Sequence, residues 1–594
     1  MTTARKRTSP ANFHVGLLED HEPRLVTLIE ALRAASPLDG HDYERLARRH
    51  GRGDGAFRKS EIIYAYRKLA GRYGWSEGEE AFIAKIRMKP VRTGSGVAPV
   101  TVLTRPHPCP GRCVFCPSDV KMPKSYLSME PGAQRAARNH FDPYRQTWNR
   151  LRALFHNGHR LDKVELIILG GTFTAYPEPY RIWFVKRCLD ALNEFHAAAG
   201  AGDPPHLGPP EPLPLADPER LLGRPGATYN QVLREHLAEH PARDESARSD
   251  ALALAQRRNE TAALRCVGLS VETRPDALGH ARDLVALRRL GVTKVQIGYQ
   301  SLDDRVLAEC ERGHDVAASR RATLLLREGG FKVQAHWMPN LPGSTPEDDV
   351  RDFQRLFADP DFRPDELKIY PLCLIESSPL MQRAGARGWK AYSEPELLFV
   401  LAEALAATPR YCRLTRVIRD IPSHDILAGN RTSNLRERVE ALLREQGRAT
   451  RDIRARQIRR PVCDLAELIL EPLEYEVGSG REIFLQGVTP QDELVGFLRL
   501  SLPERRSPIA ELEDSAVIRE VHVYGHLAGL ASGEPGAAQH LGLGRLLIDQ
   551  ARAIAARRGY RNLAVISAIG TREYYRRRGF SGDGLYQHAR LDPL

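Results

Sequence analysis

Cys109-Pro-Gly-Arg-Cys113-Val-Phe-Cys116 puts three thiols in one short Pro/Gly-rich loop, and the next cysteine, Cys188, lies far downstream. Zinc sites and ordinary ferredoxin clusters take four protein ligands. Three closely spaced thiolates suit a [4Fe–4S] cluster with one iron left open for a small molecule. The competing arrangement is a structural zinc site with His107 as fourth ligand; an unliganded apolar core is a poor use of such a loop. A second chemical signal lies near the C-terminus, in Gln539-His540-Leu541-Gly542-Leu543-Gly544-Arg545. Glycines at a helix start expose backbone N–H groups at the positive end of the helix dipole, an anion cradle fit for a pyrophosphate. Downstream, Tyr574-Tyr575 offers phenols whose ordinary pKa of about 10 exceeds that of a thiol, so either could protonate a departing thiolate.

The elements around these residues have two rhythms. Val100–Thr104 reads as a strand that the cysteine loop leaves. Further strands are expected at Val164–Leu169 (followed by Gly170-Gly171-Thr172), Cys266–Glu272, Lys294–Gly298, Lys332–His336 and Glu366–Tyr370, with helices at 149–156, 178–196, 279–290, 303–310 and 347–357. Alternating β and α units predict a parallel barrel or partial barrel, in which chemistry sits in loops at the C-terminal strand ends. The Pro/Gly/Ala-rich stretch 197–226 interrupts the pattern and reads as a flexible, non-catalytic insertion. Residues 395–447 read as mainly helical. From 465 the order becomes four strands (473–477, 482–487, 494–501, 516–524), a helix to about 557, a strand at Asn562–Ser567 and a short helix. The fold class is therefore α/β, in four parts: a basic helical region 1–88, a barrel-like domain 89–394, an Arg-rich helical linker 395–464, and an α+β domain 465–594.

The chain has 594 residues and a net charge of +12, with 42% hydrophobic and 27% charged residues. That balance is a soluble globular one, too long for a single core. No apolar run of about 18 residues is present, so no membrane span is expected. The N-terminus has no secretory pattern, and nine cysteines, clustered and odd in number, argue against a disulfide framework. A cytoplasmic protein is expected. Residues 1–92 hold 18 Lys/Arg against 12 Asp/Glu, and residues 444–460 hold seven arginines against two acids. Two separate basic patches point to a polyanion, most simply nucleic acid. In the first, Ile62, Tyr66 and Leu69 form one side of a helix surrounded by Arg58, Lys59, Arg67, Lys68 and Arg72, a surface that could bind phosphates and stack bases.

The cysteine loop, with Phe115 beside its last cysteine, resembles that of the radical S-adenosylmethionine (SAM) family. Gly170-Gly171-Thr172 looks like that family's glycine motif, and Glu272 and Arg274 fall where SAM would lie. The C-terminal pattern resembles the GNAT acetyltransferases: 539–545 as the acetyl-CoA loop, Glu520-Val521-His522-Val523 as the strand along the pantetheine arm, and Tyr575 or Tyr574 near the CoA sulfur. The two modules in this order are similar to the catalytic-subunit family of Elongator, through stretches such as Lys89-Pro-Val-Arg-Thr, Glu272-Thr-Arg-Pro-Asp276 and Arg419-Asp-Ile-Pro422. The resemblance implies a [4Fe–4S] cluster, SAM and acetyl-CoA as cofactors, with Lys163 as a further acetyl-CoA contact. It also implies a reaction in which a 5′-deoxyadenosyl radical takes a hydrogen from the acetyl methyl group, and the carbon radical adds to C5 of the tRNA wobble uridine. Oxidation of the adduct radical with loss of the C5 proton, and hydrolysis of the thioester, would leave a carboxymethyl group. Arg416, Arg419, Arg436, Arg451 and Arg454 would join the N-terminal basic residues in holding the anticodon stem-loop. An electron donor is required, and a homodimer is compatible with the pattern. Thr450 stands where the family often has a cysteine near a structural zinc, so no zinc is expected there. The alternative reading is a protein lysine acetyltransferase, for which Glu513 or Glu520 would have to serve as general base. A tRNA-binding subunit without turnover is a third.

Overall fold

The computed structural model describes residues 16–35, 39–52, 55–75, 78–195, 213–222, 224, 226–241, 245–381, 389–459, 467–524 and 542–592. The basic tail, most of the 197–226 stretch, and Gln539, His540 and Leu541 of the glycine-rich turn lie outside the described residues.

Seven parallel strands form the central sheet in chain order: β1 (Ala98–Leu103), β2 (Lys163–Leu169), β3 (Arg265–Thr273), β4 (Lys294–Gln300), β5 (Lys332–Trp337), β6 (Glu366–Ile369) and β7 (Arg413–Arg416). Each crossover runs through at least one helix, as parallel pairing requires. β1 and β7 are the two edges, so the barrel is open. The expectation that 395–447 is mainly helical is corrected here. Helices Glu394–Ala407 and Leu435–Glu445 flank β7, and Ile426–Ala428 pairs with Leu374–Ile375. β7 has one buried apolar residue, Leu414, too little for a period-2 signal. Its pairing with β6 fixes it, and Asp452 accepts from Leu414 N at 3.0 Å.

The second sheet is mixed, in the order β8 (Ile469–Val477), β9 (Gly480–Val488), β10 (Leu494–Pro503), β11 (Ser515–Val523), β12 (Asn562–Val565) and β13 (Gln587–Arg590). All pairs are antiparallel except β11 with β12. The helix Leu543–Arg557 packs across β10 and β11. The last strand was not foreseen; it spans four residues and closes the sheet edge on β12.

The foot of the seven-stranded sheet, where its strands begin, carries this second sheet. Both share one hydrophobic core. Within the joint, Arg519 of β11 binds Asp365 (2.7 and 2.8 Å), which precedes β6, and Glu482 of β9 (2.8 Å). Arg499 lies 3.5 Å from Asp365, and Arg327 lies 3.5 Å from Glu482. Burial opposes charge on Asp365, but Arg519, Arg327 and Arg499 more than offset it and hold the carboxyl well below the usual range.

The N-terminal helices Leu17–Ala34, Gly40–Arg49, Lys59–Leu69 and Glu79–Ile86 have their own core. Tyr66 belongs to it: it is fully buried, its ring stacks on Phe82 (4.4 Å) and its hydroxyl donates to Trp75 O at 2.6 Å. The base-stacking role considered for the Tyr66 face is therefore corrected, because the ring stabilises the helices instead. No helix among the described residues is long and apolar enough to cross a membrane.

Candidate active site

A single cavity of about 940 Å³ runs through the open barrel from the cysteine loop at its top to β11 at its foot. Cys109, Cys113 and Cys116 line its upper end, with Thr172 after β2 and Glu272 and Arg274 at the end of β3. Gly170 and Gly171 bring the chain close here. Gly170 sits at φ 136°, and a Cβ on it would fall 1.8 Å from Thr104 Oγ1; Gly171 sits at φ 88° with Lys124 O 3.1 Å from its Cβ position. Only glycine supports those angles at that spacing.

The thiols are set in a cationic pocket. Arg312 Nη1 donates to Cys113 Sγ at 3.1 Å and Arg274 Nη1 donates at 3.5 Å. The hydrogen bond from Cys116, opposed by burial and joined by the fields of Arg312 and Arg274, holds the Cys113 thiol well below its ordinary pKa. The thiolate is the ligand form. Cys109 is placed from outside the motif: Asn230 Oδ1 accepts from Cys109 N at 2.9 Å and Asn230 Nδ2 donates to Cys109 O at 2.7 Å. Asn230 belongs to the helix Tyr229–Glu239, whose Tyr229 hydroxyl donates to Met122 O at 2.8 Å. Asn230 carried no motif that would have found it, and Arg312 stood in the family-like stretch Arg312-Gly-His314 without a role assigned to it.

Donor spacing discriminates between a cluster and a single ion. A zinc ion holds its sulfurs at about 2.3 Å, so its ligand atoms crowd together. Among the described residues, the trio of His, Cys, Asp or Glu with all ligand atoms within 4.8 Å is His236, Glu239 and His240, not the cysteine loop. His107, the fourth ligand of the zinc alternative, packs its ring on Tyr176 at 4.5 Å. Burial and Arg105 push its pKa down to about 4. The three thiols do not all crowd round one point, and their pocket of arginines suits the negative charge of a multi-iron cluster.

Arg274 was expected at SAM. Its guanidinium is spent on Cys113, on Asp276 (2.8 and 2.9 Å) and on Arg312 O (2.5 Å), so it braces the cysteine loop. Glu272 accepts from Tyr126 Oη at 2.9 Å and lies 3.7 Å from His336 Nδ1. His336 Nε2 is buried in the cavity wall without a protein partner. Burial, with Lys368 and Arg312, keeps that imidazole neutral.

Between top and foot the wall is a ladder of buried charges. Lys294 contacts Glu165 (2.5 Å) and Glu366 (3.3 Å), and Lys332 contacts Glu366 (3.1 Å) and Glu520 of β11 (2.6 Å). Glu520 also accepts from Arg499 Nε at 2.9 Å. Val521, His522 and Tyr575 complete the lower wall. A bulge between Arg499 and Leu500 offsets β10 against β11, and pairing of β11 with β12 ends at Ile518↔Val565. Residues 519–522 therefore lack a strand partner on that side, an open backbone edge facing the start of the helix Leu543–Arg557. Gly542 precedes that helix at φ 87°, and a Cβ on Gly544 would meet Tyr574 Oη at 2.7 Å. The tyrosine pair thus splits: Tyr574 meets the helix start, and Tyr575 is buried at the cavity. Burial raises the Tyr575 pKa, so it keeps its proton at neutral pH. Lys163 begins β2 at the same foot, where burial lowers its pKa; it and Val523 are not on the cavity wall. Leu543 is buried, and Arg545 is exposed beside Asp549 at 3.6 Å.

The basic residues divide. Arg58, Lys68, Arg451 and Arg454 are exposed. Arg454 donates to Thr415 O at 2.9 Å, and Lys59 lies over the Tyr43 ring at 4.3 Å. Arg67 donates to Phe155 O at 2.8 Å and docks the N-terminal helices on the barrel. Arg416 pairs with Asp420 (2.8 Å), Arg419 with Glu130 (2.7 Å), and Arg436 with Asp452 (3.1 Å).

Residues 242–356 match the Radical SAM superfamily and residues 364–445 match the Radical_SAM C-terminal domain. The chain is 36% identical to a tRNA uridine(34) acetyltransferase of Methanocaldococcus infernus over 90% of its own length and 94% of the relative's. It is 38% identical to the protein of that name from Dehalococcoides mccartyi, over 84% and 99% of the two chains. Elongator complex protein 3 of Homo sapiens is 34% identical, over 85% and 86%. The solved structure of an archaeal Elp3 from Methanocaldococcus infernus, with an N-terminal deletion, superposes with a TM-score of 0.64 at 33% identity, covering 84% of this chain and 99% of that one. Cysteine loop, open parallel barrel and mixed C-terminal sheet agree with that likeness, and the chain belongs to the Elongator complex protein 3 family of radical SAM proteins.

Proposed function

We propose that this protein modifies the wobble uridine of tRNA, using SAM and acetyl-CoA to place a carboxymethyl group on C5. The observation that carries the reading is the continuous cavity, which joins the cysteine loop to the bulged strand β11 with no intervening wall. The names of the relatives, tRNA uridine(34) acetyltransferase, support the substrate.

Cys109, Cys113 and Cys116 would hold the [4Fe–4S] cluster, which with SAM supplies hydrogen abstraction from an unactivated carbon. The chain's own residues do the rest. Arg312, Arg274 and Asn230 fix the loop; Gly170-Gly171-Thr172 leave room beside it. The open edge of β11 and the helix start at Gly542–Gly544 would grip the pantetheine arm and diphosphate of acetyl-CoA. Tyr575 holds a proton on Oη for the departing CoA thiolate. The neutral imidazoles of His336 and His522 present nitrogens without protein partners to the cavity.

Neither carboxylate named for the lysine acetyltransferase reading is free to act as its base. Glu520 is held by Lys332 and Arg499, and Glu513 is paired with Arg506 at 2.8 Å on the surface. The test is anaerobic reconstitution with SAM, acetyl-CoA and uridine-34 tRNA. Production of 5′-deoxyadenosine and a carboxymethylated uridine is expected, with both lost in Cys113→Ala. A SAM-cleaving cluster that leaves the uridine unmodified would sink the proposal.

A further inference from the structure

Most arginines that line the cavity have protein partners, and the exceptions among them lie together. Arg413 donates to Tyr524 and Gln457, and Arg416, Arg419, Arg499 and Arg519 have carboxylates. Arg92, Arg135 and Arg150 have no ion pair or side-chain hydrogen bond among the described residues, and Arg150 Nε is buried without any partner. All three face the cavity that holds the cysteine loop.

Their placement follows the free edge of the barrel. Arg92 sits in the turn Pro90–Thr93, just before the foot of β1. At the other end of β1, Gln146 caps the unpaired backbone of Leu103, accepting from its N and donating to its O at 2.9 Å each. Arg150 is one helical turn below Gln146 on the helix Pro143–His156, whose far end meets Met88 through Asn157. Arg135 lies on the helix Pro131–Arg138, where the Cβ position of Gly132 is 3.5 Å from Leu103. The three cations thus gather beside the free edge β1. Arg416 stands on the facing edge, β7.

They also repel one another. Burial, with Arg135 and Arg92, lowers the Arg150 pKa to about 10, and Arg135 is lowered by burial, Arg92 and Arg416. The carboxylate whose field reaches Arg135 is Asp420, already paired with Arg416. Crowded guanidiniums without counter-charge are unfavourable unless an anion completes them.

We propose that Arg92, Arg150 and Arg135 form a phosphate track along the free edge of β1, which holds the backbone of a single RNA strand entering the cavity. Three unpaired guanidiniums at the cavity wall match the phosphodiesters that an anticodon loop would carry into it. The inference rests on the tRNA reading above and deepens it.

The test is binding of a uridine-34 anticodon stem-loop to the cluster-loaded full chain over a range of salt concentrations. Arg92→Gln, at an exposed position, leaves the core untouched; Arg135→Gln and Arg150→Gln follow, with Arg92→Lys as the charge-retaining control. Each loss of charge is expected to weaken binding roughly threefold to tenfold regardless of loop sequence, and to lower the slope of log affinity against log salt by about 0.7. Arg92→Lys should keep the slope. Wild-type affinity and slope in all three Gln variants would overturn the track while leaving the tRNA reading intact. A wild-type chain that binds no stem-loop would overturn both. Loss of acetyl-CoA affinity in place of RNA affinity would assign the arginines to the CoA phosphates and refute the RNA track.

Discussion

Asn230 shows how one side chain outside every motif can decide the geometry of a motif. It closes on both backbone groups of Cys109, as a neighbouring strand would. Each such bond contributes about 0.5–1.5 kcal/mol net. Asn230→Ala should therefore loosen the first cysteine while Cys113 and Cys116 keep their own contacts. The expected result is roughly tenfold faster bleaching of the cluster's visible absorbance in the presence of a chelator. Unchanged bleaching would mean that the loop holds its shape alone. The cysteines themselves were fully legible in the sequence, because their spacing is local. Asn230 was not, and the contact of Arg312 with the loop was not, since they reach it from 121 and 199 residues away. Arg274 was legible as a site residue but not in its role, because a motif gives position and not hydrogen-bond partners.

At the scale of elements, strands buried on both faces announced themselves. β2 is rich in Val, Ile and Leu, while β4 and β5 alternate apolar residues with the polar Gln296, Gln334 and His336 that line the cavity. β7 and β13 were missed because four residues carry no period, and only the strand beside each defines it. The bulge in β10/β11 was likewise invisible, yet it turns Arg519 into the joint between the sheets. Asp365→Asn leaves Arg519 and Arg499 short of a buried counter-charge. Such losses cost about 3–5 kcal/mol, so a marked fall in Tm is expected, measured by calorimetry with the cluster in place. A shift of less than a degree or two would show that Glu482 alone suffices for Arg519.

The whole molecule should be sensitive to acid in a definite direction. Asp365, Glu366 and Glu520 all titrate below their ordinary range: burial opposes this, and Arg519 for the first, Lys294 for the second and Lys332 for the third more than offset it. Groups depressed on folding lend stability above the ordinary carboxylate pKa of about 4, and that stability is lost as pH falls below it. Asp349 and Asp352 work the other way: burial raises both to about 6, so their contribution is full below about 4 and fades as pH rises through 6. Denaturant midpoints should rise from pH 6 to 5, as Asp349 and Asp352 take up protons in the folded state, and drop steeply below 4. A flat profile down to pH 3 would contradict the charge ladder. Because barrel and C-terminal sheet share one core, they are expected to unfold together, while the N-terminal helices, with a separate core, can melt apart from them.

The missing wall between β1 and β7 has a topological consequence. A closed barrel admits a polymer to its axis only through its ends, whereas a barrel with a slit can be loaded from the flank. An anticodon is the middle of a molecule, tied at both sides to a folded body, and a slit takes such a bight of chain without asking for a terminus. A tRNA whose two ends have been ligated into a ring should therefore be modified as fast as the linear one, measured by the yield of modified uridine per unit time. A linear-only enzyme would mean that the chain must be threaded, and that the slit is shut during turnover.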